Sequence, residues 1–321
     1  PASLAELGPD TLALCEKAHE VLAPWLNRPD VPVTEVVLVD DTDSANGFAN
    51  VIPWESVQIY AVPPELGGTL GYADNWMWNL VLHEYTHVLQ IGTMSGVPKW
   101  VNEPFGRFLA PNQSLPRWFL EGLATYAEST HTGTGRVNST LFMQMRDAAF
   151  ATGAEPTLGQ LSGVPDHWPN ATGWYLFGSF FVDDAVRQQG WDRFVRYFAD
   201  YGNDVLPYRV NETARVQIGK TIEQLWGEWS TRAAAAAKAD LEARTSAGLT
   251  QWEPVTTGGR DSGLVTVLTD GTPVWLDAGG DALPELRWPE RGGPIERRRV
   301  DGVGEITAGR SDHEVLVSRD T

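Results

Sequence analysis

Cysteine is almost missing from this chain. Cys15 stands alone among 321 residues, so no intrachain disulfide can staple the fold, and a buried core must hold it. A single cysteine does not fix the redox compartment. It falls on a helical stripe with Leu12, Ala18 and Leu22, which assigns it to core packing. Basic residues are also scarce, with 24 Lys and Arg against 42 Asp and Glu and a formal net charge of -18. That excess repels phosphate backbones and anionic headgroups, which excludes nucleic acid and anionic membrane surfaces as partners. No apolar run approaches the roughly 18–20 residues that a membrane-spanning helix needs, so no membrane span is expected. The chain opens on Pro1 rather than Met, which reads as a processed or trimmed form. The lack of a leader peptide therefore says nothing about compartment.

What is present points to a globular protein. Hydrophobic residues make up 42% and charged residues 21%, enough for a core, and the length predicts about two domains at roughly 150 residues each. The most informative stretch runs from Leu80 to Gly92. Leu80, Leu82, Val88, Leu89 and Ile91 predict a buried helix, Asp74 is a candidate cap ahead of it, and Gly92 supplies a stop. Within it His83-Glu84-Tyr85-Thr86-His87 matches H-E-x-x-H. Positions i and i+4 share a helix face, so His83 and His87 can turn two imidazoles toward one cation. Glu84 lies beside that point without ligating it, where a general base for a metal-bound water belongs.

A second helix is predicted from Pro116 to Glu128. Glu121 sits there among Trp118, Phe119, Leu120, Leu123 and Ala124. A carboxylate in such surroundings is costly to bury unless it is paired or bound to metal. Two His and one Glu form a catalytic zinc set that leaves a fourth position open, so Glu121 is the expected third ligand. Glu103, in Val101-Asn102-Glu103-Pro104, is the competing candidate. Pro104 follows it at once, and no ligand-bearing helix continues from there.

The rest of the chain divides by pattern. A helix is expected over Thr11–Leu26 and strands over Thr34–Val39 and Val57–Val62. Asp40–Asn50 reads as a polar loop, and residues 94–116 as a long connection. Helices are expected over Thr140–Thr152, Thr172–Gln189, Trp191–Tyr201 and Thr221–Arg244. From about residue 245 short β-like runs take over: Leu264–Leu268, Pro273–Leu276 and Glu314–Val317, with turns at Asp270-Gly271 and Gly279-Gly280. The expected domains are residues 1–245 and 246–321, the second a sandwich or propeller segment. Arg297, Arg298 and Arg299 read as a solvated face. His131 and His167 have no partner spacing.

His83-Glu84-Tyr85-Thr86-His87-Val88-Leu89-Gln90 followed by Trp118-Phe119-Leu120-Glu121-Gly122-Leu123-Ala124-Thr125-Tyr126-Ala127-Glu128 resembles the gluzincin zinc peptidases. The likeness is strongest to their peptidase MA-like branch, which is often joined to a TolB-like β-propeller. It covers roughly residues 34–245. The resemblance implies an α+β fold, a thermolysin-like domain with a small sheet, the H-E-x-x-H helix and a helical lobe, followed by the start of a propeller. It implies one zinc per chain on His83, His87 and Glu121, with Glu84 as general base and Glu128 as a supporting acid. Trp174-Tyr175-Leu176-Phe177-Gly178-Ser179 resembles the family's Y-x-x-G-[AS] helix, which makes Tyr175 the expected oxyanion donor, the alternative being a core tyrosine. One departure is the wider separation of His87 from Glu121 than in aminopeptidase-N-like enzymes. No GAMEN-like motif is present either, which favours an endopeptidase.

The strand Val57–Val62 is expected to be an edge that holds an extended peptide through Ile59, Tyr60 and Ala61, with Glu55 available to a substrate amine. The expected partner is a peptide or protein substrate, and the expected location is secreted or periplasmic. The alternatives are another zinc amidase or esterase, or an inactive peptidase-like scaffold for a propeller.

Overall fold

The computed structural model describes residues 4–319 except 43, 65–74, 165, 207, 249, 251–260, 279–284, 290–294, 300–302 and 311–313. The Asp74 cap and the Gly279-Gly280 turn lie outside the described residues. The chain forms two compact units, 1–248 and 249–321, in a mixed α+β architecture.

The first unit opens with α1 (Gly8–Trp25). Its buried stripe is Thr11, Ala18, Leu22 and Ala23. Leu12 faces solvent, contrary to the stripe expected for it, and Cys15 is half-buried against the core. Burial pushes the Cys15 thiol up to about 11, which suits a packing role.

Three short strands follow: β1 (Glu35–Val39), β2 (Gly47–Asn50) and β3 (Ser56–Tyr60). Their order is β1-β3-β2, with β3 parallel to β1 and antiparallel to β2. This corrects the expected edge. β3 is the central strand, and its continuation is also engaged. The Tyr60 N–H donates to the Asn46 carbonyl at 3.1 Å, and the Ala61 N–H donates to the Val39 carbonyl at 3.0 Å. Ile59 points into the core with Val57, at alternate positions of the pleat. The two edges of the sheet, among the described residues, are β1 and β2, and β2 lies in the stretch expected to be loop. Four residues that include Gly47 and Asn50 carry little strand signal of their own, and pairing to β3 supplies it.

Behind the sheet runs α2 (Trp76–Ile91), capped by Asn75, whose Oδ1 accepts from the Trp78 N–H at 3.0 Å. Every residue from Asn79 to Gln90 is buried, because the sheet, α1 and α4 pack against the helix. Then comes α3 (Gly96–Phe105), within the stretch expected to be an irregular connection. Pro98 falls in its first turn and Pro104 at its end, where a missing N–H or a broken turn is tolerated.

The helical lobe comprises α4 (Arg117–Thr132), α5 (Thr140–Thr152), α6 (Leu158–Ser162), α7 (Thr172–Gln189), α8 (Trp191–Tyr201), α9 (Val210–Gln217) and α10 (Ile222–Ala247). α5, α7 and α8 have the expected bounds. α6 and α9 are short and were not foreseen. α4 and α7 lie against each other through facing glycines. A Cβ on Gly178 would stand 2.2 Å from the Trp118 carbonyl oxygen, and one on Gly122 would stand 2.5 Å from the Gly178 carbonyl carbon. That approach sets the helix carrying Glu121 directly beside the helix carrying Tyr175. Trp118, Phe119, Phe177 and Phe181 fill the core around it.

Among its described residues the second unit is all β. Strands β4 (Asp261–Val267), β5 (Pro273–Ala278), β6 (Glu285–Pro289) and β7 (Ile295–Arg299) form an antiparallel meander in chain order. β8 (Val303–Ala308) and β9 (Val315–Arg319) form a separate antiparallel pair. The Asp270-Gly271 turn is present: the Leu268 N–H meets the Thr272 carbonyl at 2.9 Å, and Gly271 has φ 86°. Leu268, Val274 and Leu286 make a small core. Arg297, Arg298 and Arg299 fall on β7, with Arg298 exposed.

Candidate metal centre

α2 presents His83 and His87 from successive turns of one face, and α4 presents Glu121 opposite them. Glu121 Oε2 lies 3.2 Å from His83 Nε2 and 3.3 Å from His87 Nε2, and the two Nε2 atoms are 3.2 Å apart. This is a nearly equilateral triangle of three buried electron-pair donors, a group that could hold a metal ion. A tetrahedral ion with bonds of about 2.0–2.1 Å to nitrogen and oxygen spaces its ligands about 3.3–3.4 Å apart, so the triangle has the right edge for such an ion.

The donors are oriented from behind. The His83 Nδ1–H donates to Glu128 Oε1 at 2.5 Å. An ionised carboxylate only accepts, so this contact places the proton on Nδ1 and leaves the lone pair of Nε2 aimed at the triangle. Glu128 is gripped in turn by Arg136, whose Nη2 donates to Oε1 and whose Nε donates to Oε2 at 3.3 Å. The Arg136 guanidinium also lies over the Tyr175 ring, 4.6 Å from its centroid. His87 Nδ1 is buried with no partner among the described residues, so packing orients that ring.

Electrostatics favour positive charge at the triangle. Burial alone would lower the pKa of His83, but hydrogen bonds to Glu121 and Glu128 outweigh it and raise it to about 9, so a bound metal has to displace a proton from Nε2 before that lone pair can ligate. Burial likewise works to raise Glu121, yet the facing imidazoles of His87 and His83 hold it well below the usual carboxylate range. For Glu128, Arg136 and His83 overcome the burial penalty and lower its pKa. Glu84 goes the other way: burial raises it, and the two histidines only partly offset that.

A cleft of about 720 Å³ opens over the triangle, lined by His83, Glu84, His87, Glu121, Glu128 and Tyr175 together with residues 45–50. The Tyr175 ring stands 5.9 Å from the His83 ring. Burial pushes its phenol well above the usual value, and Glu121 is the largest carboxylate influence on it. β2 forms the opposite wall and comes very close to Glu84. A Cβ on Gly47 would stand 2.7 Å from Glu84 Cγ and 2.8 Å from Oε1.

The residues expected from the strand Val57–Val62 are not part of this site. Ile59, Tyr60 and Ala61 do not line the cleft, because β3 is covered on both edges. Glu55 is buried outside the cleft, where it accepts from Arg107 Nη1 at 2.5 Å and lies 3.9 Å from Arg28 Nη2. With that carboxylate engaged by two guanidinium groups, a substrate amine has no access to it. Glu103 is exposed on α3. Its neighbour Asn102 staples the following loop, accepting from the Leu109 N–H at 3.1 Å and donating to the Leu109 carbonyl at 2.8 Å. His131 packs edge-on against Trp25, and His167 is an exposed partner of Asp166. Sequence reasoning missed Arg136 and Gly47. Arg136 acts across a turn, with no spacing rule to mark it, and Gly47 lies in a stretch whose polar, Gly-containing composition reads as loop.

Comparison of the chain with family models, with curated proteins and with solved structures gives no match.

Proposed function

We propose that the protein is a zinc-dependent hydrolase that cleaves peptide bonds, acting as an endopeptidase. The observation that carries this reading is the buried triangle of His83, His87 and Glu121, with Glu84 one residue along the same helix and a cleft above it. Two imidazoles and one carboxylate are a borderline-soft donor set with room for a fourth ligand, which suits zinc. When bound, zinc supplies a Lewis acid and lowers the pKa of a coordinated water toward about 7.

The chain's own groups do the rest. Glu84 takes the proton from the attacking water and returns it to the leaving amine. Tyr175 donates its hydroxyl to the developing oxyanion. Glu128 and Arg136 keep the His83 ring and tautomer fixed. Among the described residues β2 pairs only with β3, and it lines the cleft, so we assign extended substrate binding by strand addition to β2 rather than to β3. In the second unit, the β4–β7 meander has the strand number and order of one propeller blade, which supports a propeller there.

Glu84→Gln tests the assignment. The variant should keep its zinc and lose about 10²-fold to 10⁴-fold in peptide hydrolysis. Cleavage at the wild-type rate would remove Glu84 from the mechanism. A zinc-loaded wild type that cleaves esters but no peptide in a broad library would move the reading to an esterase. Stoichiometric zinc with no turnover on either class would leave a scaffold.

A further inference from the structure

Arg117 has no part in the chemistry above, yet it lies in the same cleft. It occupies the first turn of α4, one turn before Glu121, and with Arg136 it is one of two guanidinium groups on the cleft wall among the described residues. The two are used differently. Arg136 is buried and committed to Glu128. The Arg117 side chain is 59% exposed, and its only ion pair among the described residues is a long 3.4 Å contact from Nε to Glu121 Oε1. The Arg117 guanidinium rests on the Trp174 ring, 4.5 Å from the centroid. Trp174 is itself fixed, being buried with its indole N–H donating to the Gly163 carbonyl at 3.1 Å. A guanidinium on an aromatic platform keeps its Nη edge free and held in place, the arrangement that binds a carboxylate with two parallel hydrogen bonds.

We infer that Arg117 is a specificity residue, selecting substrates with a carboxylate next to the scissile bond. This rests on the hydrolase reading. The carboxylate is that of an acidic side chain, in keeping with cleavage inside a peptide.

The test uses the full zinc-loaded chain and matched quenched peptides that differ only by Glu against Gln, each with a free or amidated C-terminus. Wild type should prefer the acidic peptide, and Arg117→Gln should lower that preference about 10-fold or more, as expected for losing hydrogen bonds to a charged group. Arg117→Glu should shift the preference toward a Lys-containing peptide. Calorimetric binding of the same peptides to Glu84→Gln, with and without Arg117→Gln, reads the effect apart from turnover. A preference that follows Glu supports the inference, and one that disappears on amidation overturns it and replaces the endopeptidase mode with a carboxypeptidase one. Wild type cleaving all the peptides equally, or Arg117→Gln slowing acidic and neutral peptides alike, overturns the inference and leaves the hydrolase reading standing. Zinc-loaded wild type that neither cleaves nor binds any peptide overturns both.

Discussion

Gly47→Ala places one methyl group between the edge strand and the proposed general base. Gly47 does not adopt a left-handed φ, so the substitution carries no backbone strain, and the only cost is what the methyl meets. It would meet Glu84 Cγ at 2.7 Å, Glu84 Oε1 at 2.8 Å and Leu80 Cδ1 at 2.9 Å, where ordinary contact starts near 3.4 Å. Relief therefore takes about 0.7 Å of movement. α2 is packed against α1, α4 and the sheet, so either the Glu84 carboxylate rotates or β2 lifts away. Either motion spoils the alignment of base, water and substrate, and a misplacement near 1 Å can cost about 10²-fold in rate. We expect kcat on a quenched peptide to fall about 10-fold to 10²-fold, zinc content to stay at the wild-type level, and stability to drop by about 1–3 kcal/mol from overpacking. Gly227→Ala is the control, because a Cβ there meets nothing within 4 Å. A Gly47→Ala protein with kcat within about twofold of wild type, far short of that loss, would show that β2 does not set the position of Glu84.

Two further variants separate the supporting roles. Tyr175→Phe keeps the ring under Arg136 and removes only the hydroxyl, so kcat should fall about 10²-fold to 10³-fold with KM nearly unchanged. Steady-state kinetics beside a melting curve check this, and a silent substitution would return Tyr175 to a packing role. Glu128→Gln exchanges the carboxylate that orients His83 for an amide, and zinc affinity should weaken about 10-fold to 100-fold. Competition with a chelator measures that loss, and an unchanged affinity would reduce Glu128 to a partner of Arg136 alone.

The parts of the site legible in the sequence are those encoded by local period. His83, Glu84 and His87 are ordered by the helical repeat alone, and Glu121 stood out because a carboxylate among Trp118, Phe119 and Leu123 needs a partner. The long-range parts were not legible. Whether Val57–Tyr60 is central or edge depends on which strands flank it, and β2 was too short and too rich in Gly and Asn to be recognised. α3 was hidden by Pro98 and Pro104, which read as breakers although both sit where a helix tolerates them. The grip of Arg136 on Glu128 spans the end of α4 and the turn after it, so neither periodicity nor spacing reveals it. Glu55 appeared available because its two arginine partners, Arg28 and Arg107, come from distant parts of the chain.

The central claim is that His83, His87 and Glu121 hold one zinc ion, and elemental analysis of the purified chain measures it directly. The account predicts one zinc per chain in wild type, retained in Glu103→Gln and lost or sharply reduced in His87→Ala and Glu121→Gln, with all four proteins folded by circular dichroism. Stoichiometric zinc in Glu121→Gln together with its loss from Glu103→Gln, or no zinc in wild type after zinc loading, would contradict it.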